Sequence, residues 1–241
     1  GADLICVDTA NGHNINTINT CKDIRRQYPN LIIMAGNVCS SNGFEELAKS
    51  DIDCIRLGIG NGSICTTRIE TGVGNCQFSN IYECFNSKIN NNLDTKIICD
   101  GGSLGKTGNK FKALCAGANA IMVGKTLAGT EESPGEIIIR NGKKVKYFRG
   151  MASAMATLSK QEKMNKNSKV SSVEGVDGDV PFKGPISSII DNINDGLRSG
   201  MSYLGSKNMN ELHILRKENK IKFRLCTSIG LTETNIRIKT Y

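Results

Sequence analysis

The feature that most constrains this chain is a repeat of short apolar runs separated by helix-like segments. Five runs rich in β-branched residues occupy Leu4–Asp8, Leu31–Val38, Cys54–Gly60, Lys96–Asp100 and Ala120–Gly124. Between them, Thr17–Gln27, Gly43–Ser50, Asn80–Lys88 and Asn109–Ala116 have helical patterning. Strands that are apolar almost throughout are buried on both faces, and helical crossovers make neighbouring strands parallel. The pattern predicts an α/β fold, either a β/α-barrel or an open doubly wound sheet.

Each run ends in small or polar residues: Asp8-Thr9-Ala10-Asn11-Gly12, Gly36-Asn37, Gly58-Ile59-Gly60, Asp100-Gly101-Gly102 and Gly124-Lys125. In a β/α-barrel such C-terminal strand ends build the site, and the last two βα loops often hold a phosphate. After the fifth run the period breaks. Ile137–Arg140, Asn141-Gly142 and Lys143–Phe148 read as a hairpin with a type I′ turn. Residues 156–183 are polar and weakly periodic, which predicts a functional or mobile loop. The expected organisation is a single α/β domain over residues 1–241, with the hairpin and the loop inserted at 137–183. An amphipathic helix is expected over Gly184–Arg198 and another over Lys207–Lys217, with an extended tail after them.

Net charge is +8, which suits an anionic ligand. The basic residues are scattered, so nucleic acid is not an expected partner. No apolar run reaches membrane-spanning length, so no membrane association is expected. Ten cysteines without a Cys-x-x-Cys pair read as a reduced, cytoplasmic pattern. Only His13 and His213 are present, which argues against a His-based metal site. Two Gly-Lys-Thr tripeptides, at 105–107 and 124–126, fail as phosphate loops because Asp100 and Asn119 stand where the first glycine is needed. A dinucleotide fingerprint beginning at Gly58 fails at Ser63.

The informative stretch runs from Leu57 to Gly74. Three glycines in five residues follow the third run and place Cys65 on a flexible loop, where a thiol can serve as a nucleophile. On spacing alone it is one cysteine among ten. The full pattern, Gly58-x-Gly60-x-Gly62-Ser63-x-Cys65-Thr66-Thr67-Arg68-x-x-Thr71-Gly72-Val73-Gly74, resembles the active-site loop of the IMP dehydrogenase/GMP reductase family. The resemblance extends to Asp8-x-Ala10-Asn11-Gly12, Met34–Val38, Asp100–Gly102, Ala128-Gly129-x-x-Glu132-Ser133, Phe148-x-Gly150-Met151, Val173–Gly175 and Leu197–Gly205.

That resemblance implies an eight-stranded TIM barrel, (β/α)8, of which the chain supplies roughly the last five βα units, a flap and C-terminal helices. It implies that Cys65 attacks C2 of GMP, that ammonia leaves, and that NADPH reduces the thioimidate to IMP, with Thr67 and Glu174 moving protons. Asp100 would bind the ribose. Gly101, Gly102, Gly124 and Lys125 would hold the phosphate, and Gly150, Met151, Ala152 and Gly175 would contact the base. NADPH would lie along Asp8, Thr9, Ala10, Ile59, Gly60, Met151, Ser171, Ser199, Gly200, Met201 and Ser202. Carbonyls of Gly60, Gly62 and Cys65, with Arg68 nearby, would hold K+. A homotetramer is the implied assembly.

The dehydrogenase branch hydrolyses the same intermediate with an Arg-Tyr pair on its flap. Residues 150–197 contain no Arg and no Tyr, so the reductase branch is expected. The dehydrogenase branch and a non-catalytic nucleotide-binding protein are the alternatives. Departures from the family pattern are Cys76 for Pro, Lys125 for Gly, the non-reductase Arg149, and Ser171 where reductases carry Arg. The three missing strands suggest a piece of a longer protein.

Overall fold

The computed structural model describes residues 1–102, 105–150 and 175–227. Five strands form a wholly parallel sheet in sequence order: β1 (Leu4–Asp8), β2 (Ile32–Val38), β3 (Cys54–Leu57), β4 (Lys96–Asp100) and β5 (Ala120–Met122). Each is joined to the next through helix: α1 (Ile15–Gln27), α2 (Ser41–Ala48), α3 (Thr67–Thr71) with α4 (Gln77–Asn90), and α5 (Thr107–Ala116). The Asn14 and Ser40 side chains cap α1 and α2 by accepting from the amides of Thr17 and Gly43.

Side chains alternate across a strand, so the sheet has two distinct faces. Ile33, Ala35, Ile55, Leu57 and Ile97 have no exposed surface and pack against Phe44, Leu47, Ile81 and Cys84 of the helices. The pairing register sets Asp8, Gly36, Arg56 and Ile98 abreast on the other face. That face is open at its margins, where Leu4, Ile32 and Met122 are each more than a third exposed.

A second sheet is antiparallel, in the order β6 (Ile138–Arg140), β7 (Lys143–Arg149), β8 (Asp177–Pro181). Asn141 and Gly142 both have positive φ, 51° and 73°, as a type I′ turn requires. The strand β8 falls inside the stretch expected to be loop. It exists because β7 pairs with it along its length, from Val145–Pro181 to Arg149–Asp177.

The helix α6 (Ile186–Tyr203) runs five residues beyond the expected end and packs on α5. Two glycines allow the close approach. A Cβ at Gly196 would stand 2.5 Å from Thr107 Cγ2, and one at Gly200 would stand 2.6 Å from the Phe111 ring. The final helix, α7 (Met209–Lys217), buries Leu212 against Leu114 and Cys115. Its Arg216 is buried and has no carboxylate partner among the described residues. The guanidinium lies 4.4 Å from the Tyr82 ring centre and 4.6 Å from that of Phe85. It also donates to the Ala116 carbonyl and the Asn86 side chain. Among the described residues no helix is long and apolar enough to cross a membrane.

Candidate active site

The C-terminal ends of β1 to β5 converge on two adjoining cavities. The larger, about 600 Å3, is lined by Asp8, Thr9, Ala10, Ile59, Gly60, Gly62, Cys65, Thr67, Asp100, Gly124, Gly150 and Gly175. The smaller, about 160 Å3, lies beside it and is lined by Gly101, Gly102, Gly124, Lys125 and Thr126, with Asp100 shared. The structure therefore brings together the residues expected on four different βα loops and beside the small antiparallel sheet.

Cys65 is half-buried and reaches the cavity from the loop after β3. Its Sγ lies 3.1 Å from Thr67 Oγ1, within hydrogen-bonding reach. The loop doubles back because the Cys65 amide donates to the Gly62 carbonyl at 3.2 Å. Cys65 pairs with Gly175 in an isolated antiparallel bridge, and the Val176 amide donates to the Ile64 carbonyl at 2.9 Å. The strand that leads into β8 is thus stitched to the loop that carries the thiol. Gly60 takes a positive φ of 74°, and a Cβ there would overlap Arg68 Cγ at 2.3 Å. The aliphatic stem of Arg68 runs close against both Gly60 and Gly74.

Asp100 is organised by residues that the sequence reading did not single out. Its Oδ2 accepts from Asn37 Nδ2 and from Arg56 Nη2, both at 2.8 Å. Arg56 also reaches Asp8 Oδ1 at 2.8 Å, so one guanidinium joins the ends of β1 and β4 across the inner face. Burial works against the Arg56 charge, but the hydrogen bonds to Asp8 and Asp100 outweigh it and raise its pKa above the ordinary value. Gln77 ties the ends of β3 and β4 and the loop after β3 together. Its amide donates to the carbonyls of Leu57 and Asp100, and its oxygen accepts from Asn61. A charged residue in the middle of an apolar strand, Ile55-Arg56-Leu57, was the available sequence signal, because such a residue is rarely buried without a partner.

Other expected residues fall elsewhere. Ser199, Gly200, Met201 and Ser202 lie on α6 and line neither cavity. Met151, Ala152, Ser171 and Glu174 lie outside the described residues. The Asp8–Ala10 rim, where the cofactor was expected, borders the larger cavity together with Cys65. The loop also offers carbonyls to a monovalent cation. Those of Gly60 and Cys65 accept no backbone hydrogen bond among the described residues. Among the described residues no cluster of His, Cys, Asp and Glu could hold a metal ion.

A parallel β/α sheet with a thiol on one strand-end loop, facing a carboxylate and a glycine-rich cradle on its neighbours, defines a barrel enzyme site of the nucleotide-binding kind. Residues 1–237 match the family described as the IMP dehydrogenase / GMP reductase domain, and the chain belongs to that family. Its members are oxidoreductases of purine nucleotides that use a nicotinamide nucleotide. The chain is 42% identical to the inosine-5'-monophosphate dehydrogenase of Bacillus subtilis, over 97% of this chain and 46% of the relative. It is 40% identical to that of Nitrosopumilus maritimus, over 86% of this chain and 44% of the relative. A solved structure of a cysteine-to-alanine variant of GMP reductase from Trypanosoma brucei, in complex with guanosine 5'-monophosphate, superposes with a TM-score of 0.89 at 37% identity. That match covers 100% of this chain and 48% of the solved one, so the five-stranded sheet is part of the family's TIM barrel. The chain spans about half the length of the curated relatives it matches.

Proposed function

We propose that this site carries GMP reductase activity, the NADPH-dependent reductive deamination of GMP to IMP and ammonia. The observation that carries the reading is the placement of Cys65 in the larger cavity, with Thr67 Oγ1 3.1 Å from its sulfur. Asp100, held by Asn37 and Arg56, binds the ribose hydroxyls, and the smaller cavity takes the phosphate. With the nucleotide so held, the purine lies over the Cys65 loop and against Gly150 and Gly175. Cys65 Sγ forms a bond to C2 of the base as the bond from C2 to the exocyclic amine breaks. Thr67 and Glu174 deliver the proton that lets the amine depart as ammonia. Reduced nicotinamide, when bound along Asp8, Thr9 and Ala10, supplies a hydride to C2. The C2–S bond then breaks, which returns the Cys65 sulfur and releases IMP.

Carbonyls of Gly60, Gly62 and Cys65 hold a potassium ion in this reading, which fixes the curvature of the loop. The flap insertion at 137–183, the homotetramer and a cytoplasmic location belong to the same proposal. The relatives named as dehydrogenases support a second reading, oxidation of IMP through the same thioimidate. The proposal prefers reduction because residues 150–197 lack both Arg and Tyr and so lack the water-activating pair.

The test is direct. Incubated with GMP and NADPH, the protein should consume NADPH and release ammonia in equal amounts, and Cys65→Ala should do neither. Turnover of IMP with NAD+ and none of GMP would establish the dehydrogenase reading instead.

A further inference from the structure

The segment after β8 does more than join the small sheet to α6. The Lys183 ammonium donates to the carbonyl oxygens of Lys125 at 2.6 Å and Thr126 at 3.0 Å. Those carbonyls belong to the turn after β5, which closes as the amides of Leu127 and Ala128 donate to the Gly124 carbonyl. In a trans peptide the carbonyl and the following N–H point opposite ways. Holding the Lys125 carbonyl therefore turns the Thr126 amide away from the ammonium. The amides of Lys125 and Thr126 donate to no backbone carbonyl among the described residues, and both residues line the smaller cavity beside Gly101 and Gly102.

Two further bonds fasten the same stretch. The Lys183 amide donates to Gly129 at 2.8 Å, and the Glu131 amide donates to Gly184 at 2.9 Å. The surroundings are cationic. Lys110 of α5 is 2% exposed, and among the described residues its ammonium reaches only the Lys106 carbonyl, at 3.5 Å. Among the described residues no carboxylate bonds Lys110, Lys125 or Lys183. Burial, and then the neighbouring Lys125 charge, lower the pKa of Lys183. Burial, and then Lys183, lower that of Lys110.

We infer that Lys183 is a positioning residue for the phosphate of a nucleoside monophosphate. By pinning two carbonyls of the turn at 124–128, its ammonium keeps the Thr126 amide facing a phosphate dianion, beside the Lys125 amide, whose peptide is set by the bonds to the Gly124 carbonyl. The inference rests on the proposed reading of the smaller cavity as the phosphate end of the site.

The test compares GMP with guanosine, which lacks the phosphate, by calorimetric titration of the protein, Lys183→Met and Lys183→Arg. The wild-type protein should bind GMP more tightly than guanosine. Lys183→Met should weaken GMP about tenfold and guanosine less than about twofold, and Lys183→Arg should restore most of the loss. Should Lys183→Met fail to fold, Lys183→Gln, which keeps a single donor pair, serves the same comparison. Equal weakening of GMP and guanosine, or none at all, overturns the role given to Lys183 and leaves the cavity assignment standing. Wild-type protein that binds guanosine as well as GMP overturns the cavity assignment and the inference with it.

Discussion

The two faces of the five-stranded sheet are built on different principles. Towards the helices, Ile33, Ala35, Ile55, Leu57 and Ile97 are fully enclosed in apolar packing, joined by one buried bond from the Asn80 side chain to the Val38 carbonyl. Towards the opposite side the same strands carry Asp8, Arg56 and Asp100 in one hydrogen-bonded line, while Leu4, Ile32 and Met122 remain partly exposed. Arg56 stands between Ile55 and Leu57, so a single step along the strand passes from core to site. Stability and chemistry therefore occupy alternate residues of the same strands, and each can be disturbed without the other.

The sharpest way to break that division is Cys65→Ala. Turnover should fall by about a thousandfold or more, while the thermal midpoint stays within the error of the wild type. A large loss of stability would show that the loop belongs to the core. Next in size is Phe44→Ala on the helix side, which should cost about 3–5 kcal/mol in urea unfolding. Met122→Ala on the open side should cost under about 1 kcal/mol, and equal costs would erase the distinction. A smaller effect is expected where α6 meets α5. Gly196→Ala forces a methyl against Thr107 and should cost about 1–3 kcal/mol, read as a lower thermal midpoint.

A further effect is a pH dependence carried by buried thiols on the helix side. Burial pushes the Cys84 thiol up to about 12 and the Cys21 and Cys115 thiols to about 11, from an ordinary 9.0. Below pH 9.0 each thiol is neutral in both the folded and the unfolded chain, and its contribution is fully present. As pH rises above 9.0 the unfolded thiol ionises first, so stability declines until the folded pKa is passed. The slope for Cys84 alone is at most ~1.4 kcal/mol per pH unit. Urea midpoints between pH 9.0 and about 11 should fall for the wild type and fall less steeply for Cys84→Ala. Equal slopes would place the titrating group elsewhere.

The parallel strands were legible because four of the five apolar runs stop at a glycine or an acidic residue that the fold uses, and the other, Leu31–Val38, carries Gly36 near its end. The Asn141-Gly142 turn was legible because its positive φ values admit few residue types. The strand β8 was not. Asp177-Gly178-Asp179-Val180-Pro181 has residues depleted in sheets, and only its pairing with β7 makes it a strand. The five-residue helix α3 is too short to show a period. The end of α6 was misplaced because Gly200 reads as a break, whereas in the fold it is a contact with Phe111. In the site, Cys65 and Asp100 could be named from their motif. Asn37, Arg56 and Gln77, which hold Asp100 and the strand ends, could not, because their partners lie 44 and 63 residues distant for Asp100 and 20 to 23 for Gln77.

Arg216 has a consequence for how the last helix stays in place. Its charge rests on the ring faces of Tyr82 and Phe85 and on neutral oxygens, with no acid to be protonated. A guanidinium keeps its proton through the range in which proteins stay folded. The Arg216 contact is therefore indifferent to acidification, and ordinary salt finds little there to screen. An acidic compartment or a rise in ionic strength would loosen the carboxylate-linked strand ends before it loosened this corner of the molecule.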